Sequence, residues 1–337
     1  MTTTTTIKTK TSSPLTRLAK RSEFTIGLVV IALFLLAFFG SETFSTQYNL
    51  MNLTKQGAIV GVLAVAQTLI IITGGIDISG GAIAGLGCMT MALMIRAGQP
   101  VWLAIILNFV VCIVCGFING VIIFDLNVPA MIATLGTQTI YRGILKLACS
   151  GNSVSFFEAD GKTFIKLFEK IGDYNVFGFL PILACIWILV ALIAFLVLRY
   201  TVFGRDLFVI GSGIEVARLS GIKVRKTFYL VYSVAGLIYG VAAMMFAGRI
   251  LRAMPNTGEG YDMNAIAAAV IGGASLAGGR GAITGTLIGT LLMAVIENAG
   301  KSRPFGLEIS DYILEVITGI LIIAAVAMDM IKTRKKA

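Results

Sequence analysis

Residues 203–226 read FGRDLFVIGSGIEVARLSGIKVRK. This is a polar, basic island between two long apolar segments. It carries the signals of a small helix of its own. Ser212 and Glu215 have the spacing of a capping box, in which the Ser oxygen accepts from a free backbone N–H and the Glu reaches back to the cap. Gly221 supplies a left-handed stop. Glu215 and Arg218 lie one turn apart and can pair. Ile214, Val216, Leu219 and Ile222 add apolar contact surface. A capped helix in a wet loop of a very apolar chain is a surface offered to something else.

The flanking segments set the fold class. The chain of 337 residues is 57% hydrophobic and 13% charged, with a mean hydropathy of +0.92. These values exclude an ordinary soluble domain and imply an all-α membrane protein. Ten spans are expected, at about 24–40, 57–73, 80–95, 101–124, 128–148, 177–198, 227–248, 262–277, 281–297 and 309–328. The third, eighth and ninth are short and glycine-rich, so they are expected to be broken or re-entrant and buried in protein. Glycine pairs four residues apart, such as Gly116/Gly120 and Gly236/Gly240, predict close helix packing.

The charge distribution gives orientation. The net charge of +10 is spread along membrane-flanking loops, which argues for topology and a lipid bilayer rather than for nucleic acid. With both termini cytoplasmic, 16 of the 27 Lys and Arg residues fall on inner segments and nine on outer ones. Residues 1–23 then form a cytoplasmic tail, 24–328 the transmembrane domain and 329–337 a second tail, with 199–226 as a cytoplasmic loop. The longest outer loop, about 149–176, includes KTFIKLFEKI, which reads as a short amphipathic helix.

Several chemistries are excluded. There is no His. Cys112-x-x-Cys115 lies in mid-span with no partner pair, and reads as packing. Gly300-Lys301-Ser302 resembles the end of a phosphate loop, but Val295 stands where the pattern needs Gly. No metal site, cofactor or intrinsic ATP hydrolysis is expected.

The polar residues within the spans are the candidate site. Asp77, in GGIDISGG at 74–81, is a charge in an apolar setting, costly unless paired or wetted. With Ser79 it either caps the third span or contacts substrate. Thr134, Thr137, Gln138 and Tyr141 form a polar stripe at helical spacing, either lining a wet path or bonding between helices. Asn298 and Glu297 end the ninth span, and Glu315 lies in the tenth.

Four motifs together resemble a known family. They are Gly74–Ser79, Thr134-Leu135-Gly136-Thr137, the run from Thr201 to Ile222, and Ala265–Ala268 through Gly278-Gly279-Arg280-Gly281. In this order they are similar to the permease subunits of ATP-binding-cassette importers for monosaccharides, the ribose/xylose/galactoside group. The resemblance implies a multi-pass permease of a bacterial cytoplasmic (inner) membrane, working with a second permease subunit, either identical or different. It implies a cytoplasmic ATPase and a periplasmic or extracellular sugar-binding protein. By the same resemblance Glu215, Ala217, Arg218, Leu219, Ser220 and Gly221 are the ATPase-coupling contacts. Asp77, Thr134, Thr137, Gln138, Tyr141 and Asn298 are the substrate-pathway candidates. Members tend to carry an acid where Asn264 stands and an aromatic where Ala130 stands. The competing expectation is an ion-coupled secondary transporter of a small polar solute, using Glu297 or Glu315. Its mark would be inverted repeats, and no convincing internal repeat is present.

Overall fold

The structure, a computed structural model, describes residues 22–157, 163–302 and 310–334. The expected tail 1–23 lies almost wholly outside these residues. Helices coincide with all ten expected spans: α1 (Ser22–Gly40), α2 (Gln47–Ile72), α3 (Gly80–Arg96), α4 (Val101–Asp125) and α5 (Ala130–Ala148) come first. After α6 (Lys166–Asp173) follow α7 (Ile182–Tyr200), then α8 (Val202–Ser212) and α9 (Ile214–Leu219). The chain closes with α10 (Val224–Ile250), α11 (Tyr261–Ile271), α12 (Ile283–Lys301) and α13 (Asp311–Arg334). Five of these, α2, α4, α7, α10 and α12, are long and apolar enough to cross a membrane by length and composition alone.

The order of burial gives the architecture. From Gly57 to Ile72 every residue of α2 is buried, as a helix apolar on all sides must be in a soluble core or a bundle centre. α3 and α10 are buried almost as fully. α4, α5 and α7 show one buried face and one exposed apolar face. The exposed residues include Val110, Val114, Ile140, Ile144, Leu189 and Leu192, the surface that a bilayer covers.

Close packing needs the glycines. On α10, a Cβ at Gly236 would lie 2.3 Å from the Cys112 carbonyl oxygen of α4. Reciprocally, Gly116 of α4 sits against the Tyr232 carbonyl. Cys112 and Cys115 are buried in this same region and free, in keeping with packing.

Two details differ from expectation. The ninth span, α12, is a full 19-residue helix. Its apolar run reaches Ile296 and its glycines Gly285 and Gly289 are absorbed by close approach to α11 rather than by a break. The last helix continues past 328 to Arg334, because nothing between Asp329 and Arg334 is a helix breaker. The eighth span is short as expected, only 11 residues.

One end of the bundle is capped by the loop that follows α5. The amphipathic helix expected there is α6, with Phe168 fully buried against Phe156 at a ring-centroid distance of 4.6 Å. β1 (Val154–Ser155) pairs antiparallel with β4 (Arg252–Ala253), and β2 (Asn175–Val176) with β3 (Leu180–Pro181). Lys55 reaches Asp173 at 3.6 Å. The 202–226 segment lies at the other end.

Gly236→Leu should lower the thermal unfolding midpoint of the purified protein, since the side chain would drive α4 from α10. Overpacking of this kind costs about 1–3 kcal/mol. An unchanged midpoint would show that the two helices are not held at this distance.

Candidate functional site

Between α2 and α3 the chain runs unwound through the bundle interior. Residues 73–79 leave helical geometry, and Ile78, Asp77 and Ser79 are buried. Free backbone groups at such a depth have no water to bond, so neighbouring side chains must satisfy them. Thr134 of α5 does so on both sides of the strand-like segment. Its Oγ1 donates to the Ile76 carbonyl at 3.1 Å and accepts from the Ile78 N–H at 3.1 Å. Gln67 of α2 brackets the next residue, its amide donating to the Asp77 carbonyl and accepting from the Asp77 N–H.

The Asp77 carboxylate is fully buried and has no cation partner among the described residues. Its charge is met by donors. Oδ1 accepts from the Ser79 N–H at 2.8 Å and the Ser79 hydroxyl at 2.6 Å. Oδ2 accepts from the Tyr239 hydroxyl of α10 at 3.1 Å. Asn119 of α4 donates to Ser79 Oγ at 2.8 Å. Tyr141 of α5 donates to the Cys115 carbonyl at 3.0 Å, with Asn119 Oδ1 3.3 Å away. Charge-assisted bonds of this kind are about twice as strong as neutral ones. Of the two readings of Asp77 and Ser79, the cap does not form: Ser79 precedes α3 without a side-chain bond to the N–H groups of its first turn, and Asp77 bonds Ser79 itself.

The stripe on α5 divides. Thr134 and Tyr141 are buried and bond across to the segments just named. Gln138 donates to Asp262 Oδ2 of α11 at 3.0 Å. Thr137 bonds only its own helix, donating to the Thr134 carbonyl at 3.2 Å. Asn298 does not join this cluster. It exchanges hydrogen bonds with Asn49 at 2.7 and 3.1 Å, and Asn49 precedes Gln67 by 18 residues on α2, roughly 27 Å along the axis. Glu297 sits beside it, bonded to Gln56 and to Lys301 at 3.3 Å. The side chain of Glu315 lies outside the described residues.

Sequence reasoning missed Gln67, Asn119, Tyr239 and Asp262. Amides within otherwise apolar spans were the available signal for Gln67 and Asn119. Tyr239 and Asp262 gave none, because each is one tyrosine or one helix-first-turn acid among several.

The second element is the 202–222 segment. It holds two helices, not one. Thr201 caps α8 by accepting from the Gly204 N–H at 3.1 Å. Ser212 is the last residue of α8, and its hydroxyl donates back to the Phe208 carbonyl at 2.9 Å. The expected capping box therefore does not form. α9 starts from Gly213, which has no side-chain cap. The stop at Gly221 is present with φ +76°. The Gly221 N–H donates to Arg218 and the Ile222 N–H to Ala217, each at 3.0 Å, the two bonds of a Schellman motif. Arg218 pairs with Glu215 at 2.8 Å.

α9 has two faces. Ala217 is fully buried and seats the helix on the bundle, so it offers a partner no surface. Ile214, Val216 and Leu219 are exposed, Leu219 to 89%. Glu215, Arg218 and Ser220 share the exposed side.

α8 joins this surface to the buried segment. A Cβ at Gly211 would lie 1.8 Å from the Ile72 carbonyl oxygen and 2.3 Å from the Gly279 nitrogen. The Gly279 N–H itself donates to Ile72 at 2.9 Å. Gly278 packs between Gly211 and Gly74. Three stretches of backbone thus meet where α2 ends and the Asp77 segment begins.

A comparison with protein families matches residues 49–326 to the branched-chain amino acid transport system / permease component family. The chain belongs to that family. Its matched region spans everything described above from the start of α2 into α13. Among curated relatives, the ribose import permease protein RbsC of Bacillus subtilis (strain 168) is 37% identical over 297 residues, covering 88% of each chain. The galactose/methyl galactoside import permease protein MglC of Escherichia coli (strain K12) is 33% identical, covering 92% of this chain and 95% of its own. RbsC of the same E. coli strain is 33% identical over 86% of this chain. The family assignment expected from the four motifs holds, and so does the all-α membrane fold.

Asp77→Ala should destabilise the protein by on the order of 3 kcal/mol, because three buried donors lose their acceptor. Asp77→Asn keeps an oxygen for Ser79 and should cost less. Thermal unfolding of both variants in detergent checks the order; equal midpoints would remove the carboxylate from its structural role.

Proposed function

We propose that this chain is the permease subunit of an ATP-driven importer of a monosaccharide, ribose or a related sugar. The observation that carries the reading is α9: a short, doubly anchored helix whose outer face exposes Leu219, Val216 and the Glu215–Arg218 pair. In a membrane protein this is a docking surface, and relatives named as import permeases for ribose and galactosides supply the class of partner and cargo. Hydrolysis of ATP belongs to a separate cytoplasmic ATPase, which α9 engages. The excess of Lys and Arg on the inner segments supports both termini and α9 on the cytoplasmic side of a bacterial inner membrane. A second permease subunit and a sugar-binding protein complete the assembly.

ATP can shift the permease only through a difference in affinity between two states. The Gly211–Gly278–Gly74 contact provides a path for that shift. Movement of α8 and α9 acts directly on the end of α2 and on the segment that carries Asp77. Thr134, Gln138 and Tyr141 bond to that segment or beside it, so α5 moves against it when the path alternates. A neutral sugar needs hydroxyl partners and no fixed charge. Gln138, Thr137 and Thr134 offer such partners when the contact opens. Asn298, at the other end, is assigned to the outer mouth.

Leu219→Glu should leave yield and unfolding midpoint unchanged, because the side chain is exposed. It should weaken co-purification with the ATPase by about tenfold, near 1.4 kcal/mol. Unchanged co-purification would remove α9 from the interface. Glu297 is held by Gln56 and Lys301 and is assigned no ion-coupling role. Glu297→Gln should therefore retain ATP-driven uptake into vesicles to within about twofold, since surface changes of this kind cost under about 0.5 kcal/mol. Loss of uptake with normal protein levels would favour the ion-coupled transporter.

A further inference from the structure

The seam between α4 and α10 ends in a basic cavity that the transport reading does not use. It measures about 550 Å³ and is lined by Phe124, Arg218, Lys223, Arg225, Lys226 and Tyr229. Two of the four cations are matched: Arg225 pairs with Asp125 at 2.8 Å, and Arg218 with Glu215. Lys223 and Lys226 are exposed and have no ion-pair partner among the described residues. The nearest further acid is Asp206, which shares an adjoining depression with both lysines. The rim therefore keeps an excess of positive charge.

The floor of the cavity is apolar and does not stop at the rim. Phe124 stacks near Phe228 at 5.5 Å, and Phe117 meets the Tyr229 ring edge-on at 5.1 Å. Phe117, Val114 and Val110 continue along the same face of α4, all exposed. Leu230 and Leu237 flank them on α10, also exposed. From Phe124 to Val110 is 14 residues of helix, roughly 21 Å. That exceeds one leaflet, half of a hydrocarbon core about 30 Å thick.

The geometry points to a binding site for an anionic phospholipid. Its phosphate headgroup sits at Lys223 and Lys226, and an acyl chain lies in the seam along Phe117, Val114 and Val110. Charge complementarity selects an anionic headgroup. The apolar track running from the cavity into the membrane-facing surface selects a lipid over an acidic segment of a protein partner, which would leave that track uncovered. Arg218 belongs both to the rim and to α9, so a bound headgroup would lie beside the docking helix and steady it.

The test uses the purified full chain in nanodiscs of phosphatidylcholine with and without phosphatidylglycerol. Lipid retained after detergent exchange is counted by mass spectrometry. Wild type should keep phosphatidylglycerol in preference to phosphatidylcholine, and added salt should erase the preference. Each lysine beside an anionic surface contributes roughly a factor of five. Lys223→Gln with Lys226→Gln should therefore weaken retention roughly 30-fold. Replacement of both by Arg should preserve it, as should Arg96→Gln at the opposite end. Equal retention in wild type and the doubly neutralised chain overturns the site. So does a neutralised chain that keeps phosphatidylglycerol but loses the ATPase, which would assign the rim to a protein partner. If the neutralised chain does not fold, the salt dependence of wild type decides alone, and its absence overturns the proposal. No ATPase is needed for the lipid measurement, so its failure leaves the proposed function standing.

Discussion

An unwound segment in the middle of a membrane bundle is possible only if every polar group it exposes finds a partner in protein. In residues 73–79 the Ile76 carbonyl, the Asp77 N–H and carbonyl, the Ile78 N–H and the Asp77 carboxylate are met in this way. Thr134 bonds the backbone on either side of Asp77, Gln67 bonds that of Asp77 itself, and the carboxylate collects Ser79 and Tyr239. Much of the arrangement follows from this requirement. α2 stops at Ile72 because the chain must turn into this cradle. α3 starts at Gly80, directly after the bonded pair Asp77 and Ser79. α4, α5 and α10 each contribute a polar side chain, and those three, Asn119, Tyr141 and Tyr239, converge on the same region.

The same requirement explains where mechanical force can enter. A packed apolar contact can slide at modest cost, whereas a buried carboxylate cannot lose its donors without a large penalty. The segment around Asp77 is therefore tied to α10, whose Tyr239 bonds the carboxylate. Gly211 and Gly278 bring the loop helix α8, which α9 directly follows, into backbone contact with the end of α2. No side chain intervenes to absorb a displacement. The contact at Gly278 lies beside Gly74, three residues from Asp77.

The spans were legible in the sequence because hydrophobic length is a one-dimensional property. All ten expected segments contain helix, with ends displaced by up to ten residues. α9, its Glu215–Arg218 pair and its stop at Gly221 were equally legible, since capping, pairing and left-handed stops act within one turn. The failures were also local in origin. Ser212-x-x-Glu215 matched a capping box, but α8 extends through Ser212 and takes the hydroxyl for its own Phe208 carbonyl. The glycines of α12 suggested a broken span, whereas the neighbouring α11 simply approaches closely at those positions.

Hydropathy, charge count and four motifs were enough to determine an all-α membrane protein of the permease family, with a helix exposed between α8 and α10. They operate on neighbours in the chain, or on sums over it, and need no third dimension. Which polar residues share a site was decided only by tertiary packing. Asn298 carries the same amide as Asn119, yet one pairs with Asn49 at one end while the other reaches Ser79 in the cradle. Ala217 and Leu219 are two residues apart on one helix, and packing against the bundle buries the first and leaves the second exposed. Direction in space, set by how helices lie on one another, separates these pairs, and composition carries no record of it.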